Sequence, residues 1–270
     1  MHPSILAAAL SVLMLVAPPA NAVDLHAPWS RLLERFVNDG SVDYRGLARE
    51  RAALDAYLQS LERTSKSELA ALAREDRLAF WINAYNAYTV ALVLDHYPID
   101  SIWDVTPWWK RPLGGPFAVD FIPLGHLVSG ADVQMSLNDI EHGILRKQFT
   151  EPRIHFAIVC ASKGCPRLAR RAFEGNALDA QLDAVAREFL SDTAKNRFDA
   201  EANVLYVSPI FDWFAEDFAA GGGPAGWFWR YREGSRRDAP DTPKIRYTTY
   251  DWSLNEAAVT DNSPGPGGRS

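Results

Sequence analysis

The chain has 270 residues, with 28 Lys and Arg against 34 Asp and Glu, a formal net charge of −6. That balance excludes a basic surface built to follow a nucleic-acid backbone. Its 47% apolar and 11% aromatic residues supply a substantial core, enough for one large domain.

At the N-terminus, the apolar run Ile5 to Val16 reads as the hydrophobic core of an export signal. Ala20-Asn21-Ala22 offers small residues where a signal peptidase cuts, although no Lys or Arg precedes the run. About a dozen apolar residues are too few to span a bilayer. No cysteine follows the cleavage site to take a lipid anchor. Residues 1–22 are therefore expected to be a signal peptide, leaving about 245 residues. The expected location is periplasmic or secreted, with no membrane span after signal removal. Export permits a disulfide.

Helical spacing of Leu32, Leu33 and Phe36, then of Leu54, Tyr57, Leu58 and Leu61, predicts an N-terminal helical extension over 23–66. Asp39-Gly40 breaks it, and Asp43-Tyr44 opens its second half. A longer helix is expected from Ser67, as N-cap, towards Tyr97-Pro98. Its centre, Phe80 to Tyr88, is apolar on nearly every side and marks the central core helix. Residues 100–130, rich in Pro, Gly and Trp, read as a loop-dominated excursion with extended pieces near 118–122. A helix capped by Ser136 runs through Arg146, with Asp139 favourable in its first turn.

An apolar strand is predicted at 154–160, a short helix from Pro166, and a longer helix from Asn176 to Lys195. Val204 to Val207 reads as a strand, Ser208-Pro209 as the start of an aromatic-rich helix through Phe218, and 244–252 as a last strand. Residues 257–270 read as a disordered tail. Helices outnumber strands without regular alternation. The expected class is α+β: a single, predominantly helical domain with a small mixed or antiparallel sheet.

The chain's two cysteines stand in Cys160-Ala161-Ser162-Lys163-Gly164-Cys165-Pro166. Pro166 suits the first position of a helix, which would make Cys165 its N-cap. Backbone N–H groups, the positive end of the dipole, Lys163 and Arg167 would then favour a thiolate. Such a sulfur could be a nucleophile with neighbouring N–H groups as an oxyanion hole. A Cys160–Cys165 disulfide, a metal site and inert buried thiols stay open beside that reading. Thiol–disulfide exchange is a further option, although four intervening residues differ from the two of a thioredoxin-type motif.

For the base, strand geometry favours His142 over His155. His155 would lie about 16 Å down the strand from Cys160 and point to the opposite face. His142, on its own helix, shares a side with Asp139 and Arg146, and a surface pairing with Asp139 is the plainer alternative. Glu141 or Asn83 could orient the imidazole. Asn83 and Asn86, an i, i+3 pair on an apolar helix, could equally bond backbone, because they are costly to bury unpaired. Trp103, Trp108 and Trp109 could line a ligand cleft or simply fill core beneath the long loop. No metal or other cofactor is expected.

The blocks Phe80-Trp81-Ile82-Asn83-Ala84-Tyr85-Asn86-Ala87, Ser136 to Arg146, and His155 to Pro166 resemble three hallmark segments of the domain-of-unknown-function family 547. Phe211-Asp212-Trp213-Phe214 and Tyr250-Asp251-Trp252-Ser253-Leu254 are further matches, so the blocks span roughly residues 68–256 of a domain bounded at 67–256. Family members are stand-alone exported bacterial proteins or C-terminal domains of plant and animal proteins. The resemblance implies that Asn83, Asn86, Glu141, His142, Arg146, His155, Cys160 and Cys165 are motif residues, and it brings no activity with it.

The leading expectation is a thiol-dependent hydrolase or acyl transferase. Cys165 attacks an ester or amide, His142 moves the proton, and Glu141 or Asn83 positions it. The alternative is a non-catalytic exported domain with a Cys160–Cys165 staple and a small-molecule or peptide ligand.

Overall fold

The computed structural model describes residues 22–232 and 242–258. Most of the expected signal peptide and all but the first two residues of the expected tail lie outside them.

The first helix, α1 (Ala22–Phe36), ends in a two-stranded hairpin, β1 (Val37–Asn38) and β2 (Ser41–Val42). The Asp39-Gly40 break is the hairpin turn itself. Both residues have positive φ, 49° and 77°, as a two-residue turn matched to strand twist requires. A Cβ on Gly40 would also meet the Arg167 side chain at 2.5 Å. Helices α2 (Tyr44–Arg49) and α3 (Arg51–Glu62) follow. Trp29, Tyr44, Tyr57 and Leu61 from this region are buried in one core with the rest of the molecule.

The helix expected from Ser67 is two helices. Ser65 and Glu68 form a reciprocal capping box that starts α4 (Lys66–Ala71). The chain then turns extended at Leu72 before α5 (Arg74–His96), whose first turn carries Glu75 and Asp76. Every residue of α5 from Leu78 to Val93 is buried, so the apolar centre read from the sequence is the axis around which the domain packs.

Residues 102–118 are short 3₁₀ turns, and a short α6 (Gly125–Val128) closes the excursion. Residues 139–145 are a π-helix running into α7 (Arg146–Gln148). After α8 (Ile154–Ala157) come α9 (Leu178–Ser191), β3 (Arg197–Asp199) and β4 (Val204–Val207). Three further helices, α10 (Ile210–Trp213), α11 (Ala215–Ala219) and α12 (Gly223–Tyr231), precede β5 (Lys244–Tyr247). The three-stranded sheet is mixed: β4 is central, antiparallel to β3 and parallel to β5. The domain is α+β and mainly helical, as its sequence pattern implies. Among the described residues no helix is long and apolar enough to cross a membrane.

Two expectations around the cysteines are overturned. Residues 154–157 are helical, and Ile158, which ends the helix, is extended. No sheet is needed there, because the Asn86 amide of α5 replaces the ladder. Its Nδ2 donates to the Ala157 carbonyl at 2.9 Å, and its Oδ1 accepts the Val159 N–H at 3.0 Å. The helix expected from Pro166 is also absent: residues 166–174 are irregular. They are fastened by Asn83 one turn earlier on α5. Its Nδ2 donates to the Phe173 carbonyl at 2.8 Å, and its Oδ1 accepts the Phe173 N–H at 2.9 Å.

Candidate functional site

The cysteine loop is held on its outer side by residues 251–255. Lys163 N–H donates to Ser253 O at 2.9 Å, Gly164 N–H to Asp251 O at 2.8 Å, and Asn255 N–H to Ala161 O at 3.1 Å. Ala161 takes a φ of 56°, strained for a side chain with a Cβ. A Cβ on Gly164 would meet Asp251 N and the Tyr250 ring at 2.9 Å, so the close approach requires glycine. Between these clamps Cys160 and Cys165 form a disulfide, with Cα atoms 6.2 Å apart.

The cystine lines a cavity of about 240 Å³ that also exposes Tyr85, Glu141, His142 and His155. Its walls are aromatic. Trp213 lies against Tyr250 with ring centroids at 4.8 Å and Trp252 at 5.8 Å, and Trp252 meets Trp103 at 5.2 Å. Of the tryptophans read as possible cleft residues, Trp103 lines this cavity. Trp108 and Trp109 do not; they pack edge to face on the surface, 73% and 61% exposed.

Glu141 and His142 both reach the cavity from the π-helix, a distortion frequent at functional sites. Asp139 does not pair with His142. It caps the segment start instead, accepting from Ser136 N–H at 2.8 Å and Ser136 Oγ–H at 2.7 Å. The partner of His142 is Arg146, which reaches its Nδ1 at 3.0 Å. Burial and the Arg146 charge lower the His142 pKa, so Nδ1 is an unprotonated acceptor.

His155 is the better-built imidazole. It is 2% exposed and stacks on Phe214 with centroids 3.9 Å apart. Its Nε2 lies 2.7 Å from Asp217 Oδ2, and Arg146 grips the same carboxylate through Nε at 2.6 Å and Nη2 at 3.1 Å. These hydrogen bonds, with that from His155 foremost, hold the Asp217 carboxyl well below its ordinary range. Burial lowers the His155 pKa against the opposing pull of Asp217. The ring is thus neutral, with Nε2–H directed at Asp217 and Nδ1 left as acceptor. Nδ1 is buried without a hydrogen-bond partner. The nearest carboxylate oxygen is Glu141 Oε1, at 3.7 Å.

Desolvation raises the Glu141 carboxyl from 4.5 to about 7, with Asp217 adding a smaller push and Arg146 and Tyr85 opposing it. The Tyr85 hydroxyl is 3.4 Å from Glu141 Oε2. Burial also raises Tyr85 and Tyr250, so both keep their phenolic protons at neutral pH.

The preference for His142 rested on strand parity, and that premise fails because residue 155 is on a helix. His155, Cys160 and Cys165 share one cavity. The electrostatic case for Cys165 as a nucleophile fails too. No helix begins at Pro166, Arg167 is engaged by Asp39 and Glu188, and Cys165 is disulfide-bonded and 4% exposed. Asn83 and Asn86 are not among the cavity-lining residues; both amides are fully engaged by backbone. A metal site built from His155, Cys160 and Cys165 has no support. Both sulfurs are bonded to each other, and among the described residues no metal-holding cluster of three His, Cys, Asp or Glu occurs.

Asp217 was missed from sequence. It is one acid on an aromatic-rich helical stretch, and nothing in its spacing reveals the partners 62 and 71 residues earlier. Phe214 and Tyr250 had a signal, the matched Phe-Asp-Trp-Phe and Tyr-Asp-Trp blocks, but no assigned role.

No curated protein and no solved structure matches the chain. One family matches, over residues 69–190. That stretch contributes Tyr85, Glu141, His142, His155 and the cystine, while Trp213, Phe214 and Tyr250 complete the cavity from beyond it and Asp217 holds His155 from outside it. Over that stretch the chain is similar to the family described as Protein of unknown function, DUF547.

Proposed function

We propose that the cavity is the active site of an acid–base hydrolase or acyl transferase acting on a small ester or amide with a flat, apolar part. The observation that carries this reading is the His155 ring, with one nitrogen fixed by an ion-paired carboxylate and the other unpartnered in the cavity region. An imidazole so oriented accepts a proton at Nδ1 from water or a substrate hydroxyl, and Asp217 stabilises the resulting cation. Glu141, held near neutrality, exchanges a proton with the leaving group. The Tyr85 and Tyr250 hydroxyls are donors for a developing oxyanion. The aromatic wall binds the apolar part of the substrate. With Cys160 and Cys165 joined, the attacking group is oxygen rather than sulfur.

The same reading places the protein in the periplasm or outside the cell, where the cystine persists. The supports are the N-terminal apolar run and the small residues at Ala20 and Ala22.

The test is turnover of a panel of aryl and alkyl esters and amides by the unreduced protein, beside His155→Ala and Glu141→Gln. Wild-type hydrolysis of aryl esters, falling about 10²- to 10⁴-fold in His155→Ala, is the expected result. Equal rates in the wild type and both variants would overturn it. Saturable quenching of tryptophan fluorescence by the esters without turnover would make the chain a binding domain instead.

A further inference from the structure

The two sulfurs of the cystine are not equivalent. Both line the cavity, but Cys160 is half-buried whereas Cys165 is 4% exposed. The backbone N–H of Cys160 points at Cys165 Sγ from 2.8 Å, a donor that cannot turn away. The Tyr250 hydroxyl lies 3.3 Å from Cys165 Sγ and 3.1 Å from Cys160 Sγ, and Ser162 Oγ is 3.1 Å from Cys160 Sγ. One sulfur is therefore the accessible electrophile. The other has a fixed backbone donor ready for negative charge and shares the Tyr250 hydroxyl with Cys160.

We propose that Cys160–Cys165 is an exchangeable cystine, opened at Cys160 by a small thiol that enters the aromatic-walled cavity. A thiolate attacks Cys160 Sγ and forms a mixed disulfide. The Cys160–Cys165 bond breaks with its electron pair on Cys165 Sγ, where the Cys160 N–H and the Tyr250 hydroxyl stabilise the thiolate. Lowering the leaving thiol's pKa speeds this step. A second thiolate then attacks the small-molecule sulfur of the mixed disulfide, releasing Cys160 as a thiolate. The balance is two small thiols oxidised to their disulfide and one protein cystine reduced to two cysteines.

The loop is suited to reversal. The Asn86 amide grips Ala157 and Val159 on one side, and Lys195 Nζ donates to the Cys165 carbonyl at 2.8 Å on the other. The two residues stay adjacent once the bond opens, so the Cys165 thiolate can also re-attack and expel the small thiol. The cavity's volume suits a low-molecular-weight thiol, and its walls favour one with an aromatic body. The inference does not depend on ester turnover, because exchange is read by mass.

The experiment incubates the full folded chain with benzyl mercaptan or glutathione, quenches with acid, alkylates free thiols and maps both cysteines by peptide mass. The expected product carries the adduct on Cys160 and the alkyl group on Cys165, with benzyl mercaptan reacting faster than glutathione. Tyr250→Phe should slow opening about tenfold while leaving the denaturation midpoint of the oxidised protein nearly unchanged. An adduct on Cys165 would refute the proposal. So would opening that occurs only when denaturant unfolds the chain. An unchanged opening rate in Tyr250→Phe would likewise overturn it, because the leaving Cys165 thiolate would then lack the stabilisation on which the step rests.

Discussion

His155 Nε2 and Asp217 Oδ2 lie 2.7 Å apart, although 62 residues separate them in the chain. The same carboxylate takes two hydrogen bonds from Arg146, which also holds His142. One guanidinium thus fixes the orienting acid of one histidine and the protonation state of the other. Replacing Asp217 by Asn leaves the shape but removes the charge that stabilises imidazolium. Asp217→Asn should cut turnover of any ester substrate about 10²- to 10⁴-fold with little change in ligand affinity, read as a loss in kcat. It should also lower stability by about 2 kcal/mol through the weakened bonds to Arg146 and His155.

The pH dependence follows from the opposed shifts of two carboxyls. Glu141 is raised in the folded chain, from 4.5 to about 7. Its contribution to stability is complete below 4.5 and is lost as pH rises through 7, because the folded state holds the proton more tightly. Asp217 is depressed. Its contribution is complete above its ordinary value near 3.8 and is lost as pH falls below that. Melting temperature should therefore decline between about pH 4.5 and 7 in the wild type. Glu141→Gln should flatten that limb while leaving the acid limb in place. A variant curve parallel to wild type over this interval would show that Glu141 is not held protonated.

Asn86 and Asn83 act as backbone partners, so their loss should destabilise the domain. Asn86→Ala leaves the Ala157 carbonyl and the Val159 N–H buried and unpaired, at a cost of about 2–4 kcal/mol. Urea denaturation should show a lower midpoint at an unchanged slope. Turnover per folded molecule should fall less than in Asp217→Asn.

Removing the cystine tests the loop independently of chemistry. Closing so short a loop restrains the unfolded chain by about 2 kcal/mol on the chain-entropy account. A Cys160→Ser, Cys165→Ser double variant should melt several degrees lower and still bind aromatic ligands. If the cavity depends on the bond for its shape, ligand-induced fluorescence quenching will disappear with it.

The sequence by itself determined the α+β class, the buried centre of α5, the helix break at Asp39-Gly40 and the two blocks that supply Glu141, His155 and both cysteines. These signals are local. Apolar periodicity, turn residues and motif spacing act within a few residues of where they are written. Tertiary structure alone decided that 154–157 is a helix, because a competing partner, the Asn86 amide, satisfies the adjoining backbone from 71 and 73 residues away. It also decided that Pro166 begins no helix, with Asn83 taking the N–H and carbonyl of Phe173. The same long-range contacts brought Asp217 to His155 and Tyr250 to the sulfurs. No spacing rule connects those residues, because each pairing is fixed by packing across the core rather than by the chain between them.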